Sequence, residues 1–311
     1  MTIYDELPAI YRIKRAQTDV DRIANEFYEA SLDLDPVLAT EHGRTGVETL
    51  FGDYSPAGEE AYAKLVKKTL KKLDKVIPID DTDLVTLDAM QERLTLTRQM
   101  RRAGLGRWQL NNIFSAPQQI RTSFDLMSRE NERDWAHIAG RLANVPGAID
   151  GFIQTLEAAR AEGKVSPRRQ VQIVIEQAEA YIAGGGFFDA LAAEITAAAP
   201  AITEQAREGA QAAKDGYRAL ITYLRDTLLP EAPSKDAVGR ELYTLYSRES
   251  LGASIDLDET YAWGVQELER IITEQHTVAS EIEPGASIER AKELLAWFDV
   301  PESRHPMALS R

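Results

Sequence analysis

Four histidines, His42, His137, His276 and His305, are the whole imidazole supply of the 311-residue chain, and their spacing decides which metal chemistry it can carry unaided. A helical zinc hydrolase sets two imidazoles one turn apart, so that both face the metal while a neighbouring glutamate activates water. No two of these histidines stand at such spacing, which excludes a self-contained helical zinc motif but not a site assembled from distant residues. Glu130, Asp134 and His137 fall on one face of an expected helix and are similar to the carboxylate and Glu-x-x-His arrangement of di-iron bundles. That arrangement needs a second copy, and it has Glu where Asp134 stands, so the three read as a solvated or core-edge polar face.

Other candidates lose their chemistry in the same way. Gly184 to Gly186 could cradle a phosphate only after a strand and before Gly-Lys-Ser/Thr. Here a helix precedes and Phe187-Phe188 follows, so the glycines read as a helix terminator. Lys64, Lys67, Lys68, Lys71, Lys72 and Lys75 lie opposite an apolar stripe, as on a membrane-surface or partner-binding helix. A solvated face explains them, with an acidic partner or another lobe of the protein as the alternative. No Gly-x-Ser-x-Gly elbow is present, and 50 acidic residues make close carboxylate pairs uninformative. No general acid and base can be named with a reason attached, so no catalytic residue is assigned.

Composition narrows the partners. The absence of cysteine excludes disulfides, thiolate zinc sites and cysteine nucleophiles, and it suits a reducing compartment, so a cytoplasmic location is expected. Met1 to Pro8 has neither the basic start nor the apolar run of a secretory signal. The alanine-rich stretch 187–202 is broken by Asp189, Glu194 and Pro200, so no membrane span is expected. A formal charge of -14 repels phosphate backbones and anionic lipid, so neither nucleic acid nor membrane is expected as a partner.

Apolar residues recur at three- and four-residue spacing in segment after segment, which predicts an all-α fold: a multi-helix array of long amphipathic helices with little or no β-structure. Asp19 is expected to cap a first helix that Pro36 stops, and Asp83 a third that ends near Gly104. Pro146 is expected to close a helix through Trp135, Ile138 and Leu142, and Ile149, Ile153 and Leu156 to start another. Ser166-Pro167 reads as a cap and first-turn proline. The longest helix is expected from about Pro200 to Leu229, and further ones from Asp258 to Ile282 and after Ser287. Val238 to Leu251 fits helix or strand. The organisation expected is one helical region, 1–311, with a lobe boundary near 230–235.

Several stretches carry a family resemblance. They are Asp35-Pro36 with Ala39-Thr40 and Gly43; Gly163-Lys-Val-Ser-Pro-Arg-Arg-Gln-Val171 with Gln177; Pro233-Ser-Lys-Asp-Ala-Val-Gly-Arg-Glu-Leu-Tyr243; Glu259-Thr-Tyr-Ala-Trp-Gly264 with Glu267-Leu-Glu-Arg270; and Glu283-Pro-Gly-Ala286. In that order the chain resembles the bacterial domain-of-unknown-function family 885, over essentially its whole length. The resemblance implies a mostly helical, zincin-like hydrolase or peptidase whose zinc-binding His-Glu…His motif and further acidic ligand lie in a C-terminal half. This chain stops near where that half should begin, so zinc is expected only there and no metal ligand is assigned here. What carries over is Gly239, Glu241 and Tyr243, as lining of a substrate cleft opposite the metal.

The expectation is therefore the N-terminal helical, cleft-forming half of a zinc-dependent peptidase-like protein, inactive alone. It would bind a peptide or small-molecule substrate only together with its other half. Such a half should expose an apolar face larger than a few hundred Å² and self-associate through it. The alternative is a stand-alone helical protein-interaction module that binds a partner in a groove between helices.

Overall fold

The structure, a computed structural model, describes residues 15–296; His305 and the Met1 to Pro8 stretch lie outside them. Among the described residues every regular element is helical and there is no strand.

The first helix, α1 (Asp19–Leu34), is capped not by Asp19 but by Thr18. Its hydroxyl accepts the Asp21 N–H at 3.1 Å, and the Asp21 carboxylate accepts the Thr18 N–H at 3.0 Å, a reciprocal pairing that satisfies two otherwise free donors. Asp35 then turns the chain into α2 (Pro36–Glu41), accepting the N–H groups of Val37 and Leu38. Next come α3 (Pro56–Leu73), capped by Ser55, and α4 (Asp81–Arg102). The cap of α4 is Asp80 rather than Asp83. Asp83 is fully buried and reaches α1 instead, accepting from the Thr18 hydroxyl at 2.7 Å and from Arg15 at 3.1 Å. Helices α1, α3 and α4 enclose a small core of Ile23, Val66, Leu70, Leu73 and Leu94. Five of the six lysines lie on the far side of α3 and Lys75 just past its end; all but the half-buried Lys72 are exposed, and Lys72 pairs with Glu26 of α1.

The larger core is built by α5 (Ala116–Thr122), α6 (Glu132–Ala161), α7 (Arg168–Ile182), α8 (Phe187–Ala198) and α9 (Thr203–Tyr223). Pro117 lies in the first turn of α5, behind a Ser115 and Gln118 capping box. Pro146 does not end its helix. It lies inside α6, which at 30 residues is the longest helix among those described. Interior proline loses a hydrogen bond and crowds the carbonyl four residues back, for about 3 kcal/mol. Against that stand Ile138, Leu142, Val145, Ile149, Phe152 and Leu156, all buried on one continuous helix. Each buried side chain of this size contributes roughly 1.5–3 kcal/mol.

Helix α9 packs along α6 more extensively than any other described pair, through a stripe of small residues. A Cβ on Gly216 would lie 3.1 Å from the Cα of Pro146, so glycine on one helix admits proline on the other. Ser166 is not a helix cap either. It is buried, accepting the Leu110 N–H at 2.9 Å and donating to the Trp108 carbonyl at 3.2 Å, and Pro167 precedes α7 without a side-chain cap.

The long helix expected to start at Pro200 is divided: a 3-10 turn (Pro200–Ile202), α9, a π-helical turn (Leu224–Leu228) and the short α10 (Leu229–Glu231). Pro230 follows directly on the widened turn, where its ring crowds the carbonyl four residues back and its missing N–H removes one hydrogen bond.

Two compact units follow from the packing, one ending at Leu245 and one beginning at Tyr246. The ambiguous segment is helical: α11 (Arg240–Leu251) runs across the division and buries no residue. The second unit contains α12 (Leu257–Ile282), capped by Asp256, and α13 (Ile288–Ala296), where the Ser287 hydroxyl accepts the Arg290 N–H at 3.1 Å. No helix of the described residues is long and apolar enough to cross a membrane.

Candidate functional site

Gly239, Glu241 and Tyr243 are held by a loop that is tied to the start of α7. The Arg168 N–H, one of the donors a helix leaves free at its first turn, donates to the Pro233 carbonyl at 2.8 Å. Asp236 pairs with Arg169 and accepts from Gln170 Nε2 at 3.2 Å, placing a carboxylate at the positive end of the helix dipole. Gly239 then turns the chain into α11 at φ +85°, a conformation that strains any residue with a Cβ, although nothing lies within 4 Å of where a Cβ would be. Its carbonyl accepts the Tyr243 N–H at 3.0 Å.

The helix separates the other two. Residues two apart lie about 200° around an α-helix, so Glu241 and Tyr243 do not share a face. Both are exposed, Tyr243 by 56%. The structure brings neither into a chemical pair with the other.

Upstream of the same loop, four side chains clamp α9 and α10 to α6. Glu157 accepts from Arg160 Nε and Nη2 at 2.8 and 2.7 Å and from the Tyr223 hydroxyl at 2.8 Å, while Arg160 Nη1 reaches Glu231 at 2.8 Å. The Arg160 hydrogen bonds hold the Glu157 carboxyl down to about 2, and burial pushes the Tyr223 hydroxyl up. A carboxyl depressed in the folded state contributes stability that is present above its unfolded value of 4.5 and lost as pH falls towards 2. Glu157→Gln is accordingly expected to flatten the acid limb of stability. Urea midpoints of wild type and variant that decline in parallel from pH 5 to 2 would contradict this.

Other sequence candidates are engaged elsewhere. Asp134 accepts from the Ser128 hydroxyl and from the Glu130 N–H at 3.1 Å, and the Ser128 bond holds it below the usual carboxylate range. It therefore organises the entry to α6 rather than facing His137. At the glycine turn, the Gly185 N–H that a phosphate would need donates to Asp189 at 3.0 Å, and Asp189 pairs with Lys214 at 2.7 Å. His42 ends α2, with Nδ1 2.8 Å from the Tyr28 hydroxyl; His137 lies on α6 and His276 on α12. Among the described residues no group of three or more His, Asp or Glu could hold a metal ion, so these residues do not fit a zinc site.

Arg141 is the polar feature that sequence reading missed. It is 1% exposed in the α6 core face. Nη2 donates to Thr40 Oγ1 at 2.8 Å, Nη1 to the Ser123 carbonyl at 3.4 Å, and the guanidinium lies 5.7 Å from the centre of the Phe51 ring. Nε has no partner, and burial lowers the group to about 10. Its spacing was the available signal: Arg141 falls three residues after Ile138 and four before Val145, within the apolar stripe.

The family model described as "Bacterial protein of unknown function (DUF885)" matches residues 36–308. Two solved bacterial structures share the fold. A "putative lipoprotein" of Colwellia psychrerythraea, 16% identical, superposes with a TM-score of 0.68 over 92% of this chain and 55% of its own. A "putative lipoprotein of unknown function" of Shewanella oneidensis, also 16% identical, gives 0.63 over 90% and 52%. This chain thus spans about half the length of either structure. No curated protein matches the sequence.

Proposed function

Since the chain belongs to the bacterial DUF885 family, a family of unknown function, we propose that it is the N-terminal helical, cleft-forming half of a zinc-dependent peptidase- or hydrolase-like protein, inactive by itself. One observation supports this reading above the rest: the shared fold takes in 92% of this chain but only 55% of the Colwellia structure. In this reading zinc, its ligands and the glutamate that activates water belong to the other half, which completes the site for a peptide or small-molecule substrate. The part played by this chain is to present a wall, with Gly239 setting the start of α11 and Glu241 or Tyr243 touching substrate. The helix turns the two side chains to different faces, so only one of them can line that wall, and Glu241→Ala and Tyr243→Phe are expected to act unequally, one lowering kcat/KM about tenfold. The absence of cysteine supports a cytoplasmic location, which cell fractionation tests.

The test begins with the intact mass and zinc content of the protein isolated from its source. A mass well above 34.6 kDa with about one zinc per chain is the expected result. A 34.6 kDa species without zinc would overturn the reading. It would favour instead a stand-alone helical interaction module, which the continuous core of α5 to α9 is extensive enough to support.

A further inference from the structure

The second unit holds a helix whose sequence is written for burial and which the described residues of that unit do not bury. Helix α12 has 26 residues, of which only Ala279 is buried. Leu257, Tyr261, Val265, Leu268 and Ile272 recur at three- and four-residue spacing, which makes one apolar stripe of the kind that faces a core. Yet Tyr261 is 75% exposed, Leu268 57% and Ile272 41%.

The opposite side of the helix is mostly charged, although Trp263 on it is 62% exposed. Arg270 reaches Glu267 at 2.7 Å and Glu274 at 2.8 Å, all along its own helix, so those charges need nothing from outside. The apolar side has no such internal partner. A single large aromatic carries about 150–250 Å² of surface, so Tyr261 with its aliphatic neighbours makes a patch of a few hundred Å², the size at which an exposed apolar surface is often functional.

We propose that this stripe of α12 is the seat of the remaining half of the same longer polypeptide, docked by apolar packing; the proposal rests on the two-half reading above. Two observations select that occupant. Each solved relative carries close to half of its chain outside the part that matches here, and the matched part takes in more than 90% or 90% of this chain, so the extra polypeptide is not an alternative version of these helices. Helix α13 also packs on α12, with Ala279 and Ala291 buried, so a chain continuing past α13 leaves from within this unit. An occupant arriving along the chain is held at high local concentration, which favours it over a second molecule.

Hydroxyl-radical footprinting of the protein as isolated from its source tests this, with the 311-residue chain as reference. Tyr261 and Leu268 are expected to label roughly fivefold more slowly in the source protein, at every concentration, as residues passing from surface to core do. Equal labelling in the two samples would overturn the docking while leaving the two-half reading intact. Protection that fades on dilution would overturn it in favour of a second copy. A source protein of 34.6 kDa would remove the two-half reading and the docking with it.

Discussion

Leucine in place of Gly209 is expected to destabilise the protein by about 3 kcal/mol or more, the upper end of what inserting volume into a packed core costs. The reason lies in the seam between α6 and α9. A Cβ on Gly209 would sit 3.0 Å from the Ala139 carbonyl oxygen and 3.0 Å from the Leu142 Cβ. Neither is the free end of a flexible side chain, so the helices themselves would have to part. Alanine is the sharper test, since helix propensity alone favours it over glycine by about 1 kcal/mol. Gly209→Ala is nevertheless expected to lower stability, because backbone displacement outweighs that gain. Gly147, also inside α6, is the control: nothing lies within 4 Å of its would-be Cβ, and alanine there is expected to stabilise by about 0.5–1 kcal/mol. Urea midpoints for the two alanine variants should therefore move in opposite directions. If Gly209→Ala rose together with Gly147→Ala, the close approach of α6 and α9 would be refuted.

The same seam explains what sequence pattern could and could not convey about the fold. Three- and four-residue apolar spacing identifies the helices because each must bury a stripe, and that requirement is local. The effect of Pro146 is not local. Proline carries a penalty that a solvent-exposed helix would not survive, and only the apposed Gly216, seventy residues later, shows that this helix is held through it. The caps failed on a finer scale. Asp19, Asp83 and Ser166 all have the right chemistry for a helix start, but a nearby Thr18 or Asp80 takes that role. Asp83 and Ser166 are then free to tie distant segments together.

For the candidate site the limits were different. Gly239, Glu241 and Tyr243 came from family resemblance, and their spacing says nothing until the segment's conformation is known. As a strand, Glu241 and Tyr243 would share a face, since side chains repeat every second residue; as the helix α11 they do not. The segment's periodicity permitted either, so the one fact that decides how the element can line a wall was beyond pattern. The lysine face of α3 was legible because solvated charge opposite an apolar stripe needs no tertiary partner, and among the described residues only Lys72 has one, in Glu26. Arg141 was overlooked because arginine within an apolar stripe reads as a residue that reaches solvent.

Arg141 should respond to substitution in a way that depends on shape more than on charge. It is a buried cation with no carboxylate in ion-pair contact among the described residues, one unpartnered N–H, and few hydrogen bonds. Burying charge in this manner is costly, and apolar replacements of similar volume are often neutral or better. Arg141→Met, which keeps the long unbranched stem, is expected to stay within about 1.5 kcal/mol of wild type. Arg141→Ala, which leaves a cavity between Thr40, Phe51 and Ser123, is expected to lose about 3–5 kcal/mol. Alkaline pH gives a second readout. A base depressed in the folded state, from 12.5 to about 10, binds fewer protons there than when unfolded, so its contribution rises with pH across that interval. Tyr54, pushed up to about 12 chiefly by burial, acts oppositely: its contribution is full below 10 and is lost as pH rises through 12. Removing the Arg141 charge leaves the tyrosine uncompensated, so Arg141→Met should lose stability more steeply than wild type between pH 10 and 12. Denaturant midpoints for wild type, Met and Ala variants across that range carry both tests. A methionine variant as damaged as alanine would mean that the guanidinium itself holds Thr40, Phe51 and Ser123 together, and one with the wild-type alkaline slope would refute the opposed titration of Arg141 and Tyr54.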